Sequence, residues 1–280
     1  MSNISTHAVV RCLGGFSLEL RGHPVNRWRA GKARELFLYL LINRGRTVDR
    51  EELHAALWPD RNRSAGSSSV KVAKHAVHQI LSGQQAAEEQ PAAEIVFNEY
   101  GYTLKVHDAW LDFEEFERLC NEGHRAAARS DRITAAAYYR RALELHVGDF
   151  LPGESADWAR EQQDWVRSLA LGAADFLLQE ALDRGELPEV IDVCRRTLDI
   201  DPYQEDVYRT LIQVHGDLGQ LGQARSWYKL CSARMSNGLD IDVSPDTQRL
   251  FERVLRVHDA PAQAAVLPPG RSSGQRVTTP

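Results

Sequence analysis

Residues 66–81, GSSSVKVAKHAVHQIL, carry the side chains best suited to meeting a polyanion. At helical spacing Val70, Ala73, Val77, Ile80 and Leu81 share one face, while Ser67, Ser68, Lys71, Lys74, His75 and His78 share the other. One side can dock on a core. The other offers hydroxyls, ammonium groups and imidazoles with no acid among them. Short donors of this kind reach base edges in a DNA major groove, and the cations meet phosphates. An ordinary amphipathic surface helix shows the same wheel, so the neighbouring elements must decide between the two.

The pair His75-x-x-His78 admits three roles. It lacks a third ligand nearby in sequence, which argues against a metal site. The histidines are either plain surface groups or phosphate partners; protonation in the second case would strengthen binding as pH falls from about 8 to about 6.

No enzyme chemistry stands out, and no cofactor or metal is implied. The nearest approach to a phosphate loop, Asn26 to Ala33, lacks both the first glycine and the final hydroxyl. The motifs GxSxG and HExxH and a dinucleotide fingerprint are missing as well. Acid pairs such as Glu114-Glu115 sit in helix first turns, where they favour the dipole.

The elements that would position residues 66–81 follow in order. Residues 8–27 predict a short antiparallel sheet, with Phe16, Leu18 and Leu20 alternating against Ser17 and Glu19 between the turn signals Gly14-Gly15 and Arg21-Gly22. Ala33, Leu36, Phe37, Leu40 and Leu41 then mark a core helix that stops near Asn43–Gly45. Asp49 and Glu52 form a variant capping box for a second helix, whose inner face is Leu53, Ala56, Leu57 and Trp58. The polar loop DRNRSAG leads into the helix at 66–81. After a soft linker, SGQQAAEEQPAA, the arms Ile95–Phe97 and Tyr102–Val106 flank Asn98–Gly101 and predict a hairpin. Sheet, three helices and hairpin together read as a winged helix-turn-helix.

Beyond Asp108 the pattern is nearly all helical. Helices are predicted from Asp112 and over about 132–146, 157–184, 187–199, 203–218, 221–236 and 245–257, the last capped by Ser244 with Pro245 at its first position. Leu187, Val190 and Cys194 recur 34 residues later as Leu221, Ala224 and Tyr228, the period of a tetratricopeptide repeat. Such pairs stack into a right-handed array whose usual task is protein contact. The expected fold class is therefore mainly α: a winged helix-turn-helix at 8–107, a tetratricopeptide-like array at 108–258, and a disordered tail at 259–280 rich in Pro, Ser and Gly.

Charge agrees with that division. Residues 1–105 hold 14 lysines and arginines against 10 acids, and residues 106–280 hold 20 against 29. Only the front half is suited to a polyanion. No apolar run reaches the roughly 18 residues that span a bilayer, and the N-terminus has no secretory pattern. Four scattered cysteines fit reduced thiols in a cytoplasmic protein.

The whole resembles the Streptomyces antibiotic regulatory protein family, which joins an OmpR/PhoB-type DNA-binding domain to a bacterial transcriptional activator domain. The resemblance covers roughly residues 8–258. It is carried by VRCLGGFSLELRGHPV, GKARELFLYLLINRGRTVDREELHAALWPD, the helix at 66–81 and NEYGYTL, then by LDFEEFERL, YYRRALELHVGDFL and GLDIDVSPDTQRLFERVL. It implies a helix at 66–81 lying in the major groove, with Ser67, Ser68, Lys71 and His75 toward the bases and Lys74, His78, Arg61 and Arg63 toward phosphates. Tyr100, Gly101 and Tyr102 would place an aromatic edge and a backbone NH on the backbone of the duplex, or else pack the hairpin. Solvated surface suits Lys32 and Arg34 better than DNA contact does.

The implied protein is a transcriptional activator on promoter DNA, as a homodimer or a tandem pair on direct repeats about 10–10.5 bp apart, touching RNA polymerase through its helical domain. One departure separates this chain from the family. A Ser-Arg-Leu-Arg-like run is replaced by His75-Ala76-Val77-His78, and an arginine on guanine is worth about 1–3 kcal/mol of discrimination. The competing reading is a protein-interaction adaptor with a degenerate DNA-binding domain.

Overall fold

The computed structural model describes residues 8–28, 32–59, 63–82 and 91–263, with backbone alone for 63–68 and 258–263. The described residues are mostly helical. The chain divides into two compact units, Met1–Glu180 and Ala181–Pro280.

In the first unit β1 (Ala8–Arg11) and β2 (Ser17–Leu20) pair antiparallel, with Val10 opposite Leu18 and Ala8 opposite Leu20. All four side chains are buried, as strand alternation requires of one face. Arg21 and Gly22 both take positive φ, the two-residue turn that suits strand twist, and lead into β3 (His23–Pro24). A fourth strand, β7 (Ala109–Leu111), lies parallel to β1. Beyond Asp108 the sequence reads as nearly all helical, with no strand predicted. Three residues are too few to show alternation, and this strand owes its existence to a partner a hundred positions away.

Helix α1 (Ala33–Ile42) buries every residue from Leu36 to Leu41, a wider face than the predicted stripe. Its Tyr39 hydroxyl reaches out of the core by donating to the Glu52 carboxylate at 2.9 Å. After β4 (Val48–Asp49), the Asp49 side chain caps α2 (Arg50–Leu57) by accepting from the Glu52 amide at 2.7 Å. The predicted return half of the capping box is replaced. The Glu52 carboxylate turns to Tyr39 and to the Arg46 guanidinium, and the latter holds it below the usual carboxylate range.

Helix α3 (Arg63–Ser82) begins three residues before the predicted start at 66, since Arg63, Ser64 and Ala65 hold no breaker and one glycine costs only about 1 kcal/mol. Residues 60–62 and 83–90, parts of the predicted loop and linker, lie outside the described residues. The hairpin comprises β5 (Ala93–Phe97) and β6 (Gly101–Val106), with β4 pairing on the far side of β6.

Three further helices belong to this part of the chain: α4 (Asp112–Ala128), α5 (Arg132–Leu145) and α6 (Asp157–Arg184). Helices α4 and α5 pack tightly. A Cβ at Gly123 would come within 2.8 Å of the Tyr139 ring, so only glycine allows this approach.

The first unit runs on past residue 107 because the N-terminal sheet is tied to this helical segment. The buried Asp112 carboxylate accepts from the amides of Cys12, Leu13 and Phe113 at 2.8–2.9 Å. The Gly14 amide donates to the Asp149 carbonyl, and the Leu151 amide to the Cys12 carbonyl. Arg34 pairs with Glu154 at 2.9 Å, and Tyr39 meets Trp158 edge-on at 5.7 Å.

In the second unit α7 (Leu187–Ile200) and α9 (Leu221–Arg234) begin on the leucines that the 34-residue repeat equates. Val190, Cys194 and Ala224 are buried at the repeated positions, and Tyr228 stacks on Phe251 at 4.1 Å. Between them lies α8 (Glu205–Asp217). A π-helical turn, Met235–Leu239, ends α9 where Gly238 makes room for the Tyr203 phenol. Ser244 caps α10 (Pro245–Gln263), and the Glu205 carboxylate gathers the Ser244 amide and hydroxyl together with the Thr247 hydroxyl. α10 outruns its predicted end at 257 and takes up residues 259–263 of the predicted disordered tail. Residues 264–280 lie outside the described residues. All four cysteines are free buried thiols, and burial pushes Cys120 and Cys194 up to about 12.

Candidate nucleic-acid interface

The inner face of α3 follows its apolar spacing. Val70, Ala73, Val77 and Leu81 are buried, Ile80 is half-buried, and Ala76 joins them. This face packs on α1, with further contacts to α2 and β5. At about 1.5–3 kcal/mol for each large aliphatic side chain, the docking fixes which way the helix points.

Lys71, His75 and His78 are exposed on the outer face, and Lys74 is half-buried at its edge. Arg61 lies outside the described residues; Arg63, Ser67 and Ser68 are placed by their backbone alone, in the first turns of α3. The Gln79 amide donates to His75 Nε2 at 3.0 Å, and the Ser82 hydroxyl donates to the His78 carbonyl at 2.6 Å. Two groups that the sequence did not single out stand on this surface. Gln79 is exposed, and Val72 is 62% exposed between Lys71 and buried Ala73.

The hairpin turn is built by Asn98. Its side-chain oxygen accepts from the amides of Tyr100 and Gly101 at 3.0 and 2.9 Å, a local turn that asparagine favours. Tyr100 projects from the tip, 78% exposed. Gly101 has a packing role, because a Cβ there would lie 2.0 Å from the Val48 carbonyl oxygen. Its amide is taken by Asn98, which corrects the expectation of an NH offered to a phosphate. Tyr102 follows the second of the two readings left open for the wing. Its ring is buried and packs on Phe97 at 4.9 Å, the hairpin-packing alternative.

The sequence passed over Arg50, which is exposed and lies 4.5 Å over the Phe97 ring beside this hairpin. Near its turn the hairpin is pinned to the chain just ahead of β4 by the Thr47–Thr103 hydroxyl pair at 2.9 Å. Lys32 and Arg34 are engaged by Glu35 and Glu154. Among the described residues no group of three histidines, cysteines or acids could hold a metal, and no helix is long and apolar enough to cross a membrane.

Residues 111–255, just over half of the chain, match the bacterial transcriptional activator domain. The chain belongs to that family. Its relatives include the regulatory protein AfsR of Streptomyces coelicolor, 24% identical over 249 residues that make up 86% of this chain and 24% of AfsR. The regulatory protein DnrI of Streptomyces peucetius is 26% identical, over 81% of this chain and 85% of DnrI. The transcriptional regulatory protein EmbR of Mycobacterium tuberculosis is 25% identical, over 87% of this chain and 62% of EmbR. This member of the family thus spans about a quarter of AfsR and under two thirds of EmbR. The structure of Mycobacterium tuberculosis EmbR in complex with a low affinity phosphopeptide shares its fold, with a TM-score of 0.66 and 22% identity over 93% of this chain and 69% of that one.

Proposed function

We propose that this protein is a DNA-binding transcriptional regulator in which residues 8–107 act as an OmpR/PhoB-type winged helix-turn-helix. The observation that carries the proposal is α3. A helix anchored along one face on α1 turns toward solvent a face of Lys71, His75, His78 and Gln79, and its sequence contains no acid. The hairpin with its exposed Tyr100 serves as the wing. α3 enters the major groove, Lys71 and His75 face the bases, and Lys74 and His78 meet the phosphates, along with Arg61 and Arg63. Ser67 and Ser68 contribute hydroxyls at the entering end of the helix. Tyr100 alone of the three wing residues touches the duplex.

Residues 108–258 serve self-association or contact with RNA polymerase, and the protein works in the cytoplasm as an activator. Two copies bind promoter direct repeats about one helical turn apart. Regulatory relatives aligned along most of this chain support the proposal, DnrI over most of its own length as well.

Selection of duplexes from a random pool by the full chain tests it, followed by anisotropy titrations at two salt concentrations. A reader of sequence loses affinity steeply with salt, yet keeps a preference of about 10³ or more for its own site. Binding that is weak and equal on all duplexes would refute the proposal and favour the adaptor.

A further inference from the structure

We infer that Val72 is a specificity-determining residue that packs against the C5-methyl group of a thymine in the major groove. The inference rests on the DNA-binding reading of α3. From Val70 to Leu81 the other apolar side chains of the helix are buried or half-buried, and Val72 alone stands 62% exposed. A single exposed valine is ordinary on a protein surface. Its setting here is not. On the helical wheel Val72, His75 and Gln79 form one row at spacing i, i+3, i+7, and Lys71 and Lys74 lie on one flank of that row. With His75 of this row facing the bases and Lys74 meeting a phosphate, the row lies against the base edges.

Valine can offer no hydrogen bond there. A major groove has one apolar feature to match it, the thymine methyl, which no other standard base carries. Valine in a helix also holds one strongly preferred rotamer, so its two methyl groups are preset before DNA arrives. After Arg63, α3 contains no arginine, so no bidentate fork for guanine stands beside Val72. An apolar reader shifts discrimination toward thymine.

The test begins with the site that the full-length protein selects from random duplexes. Each thymine of that site is replaced in turn by deoxyuridine, which lacks only the methyl group. Wild type and Val72→Ser are titrated on every duplex, with circular dichroism confirming that the variant is folded. The expected result is a loss of about fourfold for wild type at one thymine of each half-site, the value of one buried methyl group. Val72→Ser should bind the thymine and uracil duplexes equally at that position. Wild type indifferent to every replacement would overturn the inference and leave the DNA-binding reading intact. So would Val72→Ser showing the same thymine-to-uracil ratio as wild type, including a variant that binds both more weakly by the same factor, which would assign Val72 to a protein contact. Failure to select any site would overturn both.

Discussion

Replacing Asp112 with alanine should destabilise the Met1–Glu180 unit by about 3–4 kcal/mol. The carboxylate is only 4% exposed. Oδ1 accepts from the Cys12 and Phe113 amides at 2.8 Å, and Oδ2 accepts from the Cys12 and Leu13 amides at 2.9 Å. Cys12 and Leu13 are themselves buried, so alanine leaves two buried backbone amides without a partner. Each such orphan costs about 1–3 kcal/mol. The negative charge at the first turn of α4 adds about 0.3–1 kcal/mol.

One effect runs the other way. Burial raises the pKa of Asp112, so the ionised group carries a desolvation cost that alanine relieves, and the sum stays in the lower part of the range. Asp112→Asn keeps one accepting oxygen but turns an NH2 group toward an amide that also donates; it should lose about half as much. Urea unfolding followed by tryptophan fluorescence suits the measurement. Five of the six tryptophans lie before residue 181, with Trp227 the exception. An alanine variant within about 1 kcal/mol of wild type at unchanged urea slope would refute the assigned role.

Gly101→Ala should disrupt the pairing of β4 with β6, since the new methyl group would collide with the Val48 carbonyl; a loss of about 2–4 kcal/mol is expected, and an unchanged urea midpoint would count against it. Glu52→Gln should cost about 0.5–1 kcal/mol at pH 7, a value limited by partial exposure of both partners. Glu52 has a folded pKa held below its unfolded value by Arg46, so its contribution is complete above about pH 4.3 and fades as pH falls through the folded value. The gap between wild type and Glu52→Gln in urea melts should therefore narrow from pH 7 to about pH 3; a gap that is constant or widens contradicts the pairing.

The inner face of α3 was legible because five side chains at 3.6-residue spacing leave little choice about which side is inward. Val72 was not. In VKVAKHAV valines recur at positions 70, 72 and 77, and apolar type alone suggests core for all three, although at helical spacing the middle one falls in the row of His75 and Gln79. The wing was read as a unit, Tyr-Gly-Tyr, although neighbouring strand residues point to opposite faces. Tyr102 shares its face with buried Leu104, a signal present in the sequence. The fate of Gly101 was hidden, since it depends on a strand more than fifty residues earlier. The partners of Asp112 were hidden for the same reason. An aspartate ahead of a helical pattern looks like a first-turn acid, and nothing local says that its carboxylate serves backbone amides just past β1, about a hundred residues away.

Those distant ties bear on where the proposed DNA-binding unit ends. A chain cut after residue 107 would lose Asp112 from the Cys12 and Leu13 amides, Asp149 from Gly14, and β7 from the edge of β1. α1 would lose the Trp158 edge on Tyr39 and the Glu154 partner of Arg34. Water can reach the freed amides in a truncated chain, so each bond is worth about 0.5–1.5 kcal/mol rather than the cost of a buried orphan. With the apolar surface uncovered, the total is about 3–6 kcal/mol, a large share of the roughly 5–15 kcal/mol that keeps a domain folded. Residues 1–107 should thus unfold at much lower urea than the first unit does in the full chain, and should bind the selected duplex correspondingly more weakly. Equal urea midpoints would mean that the helices after residue 111 carry no part of the stability beneath α3.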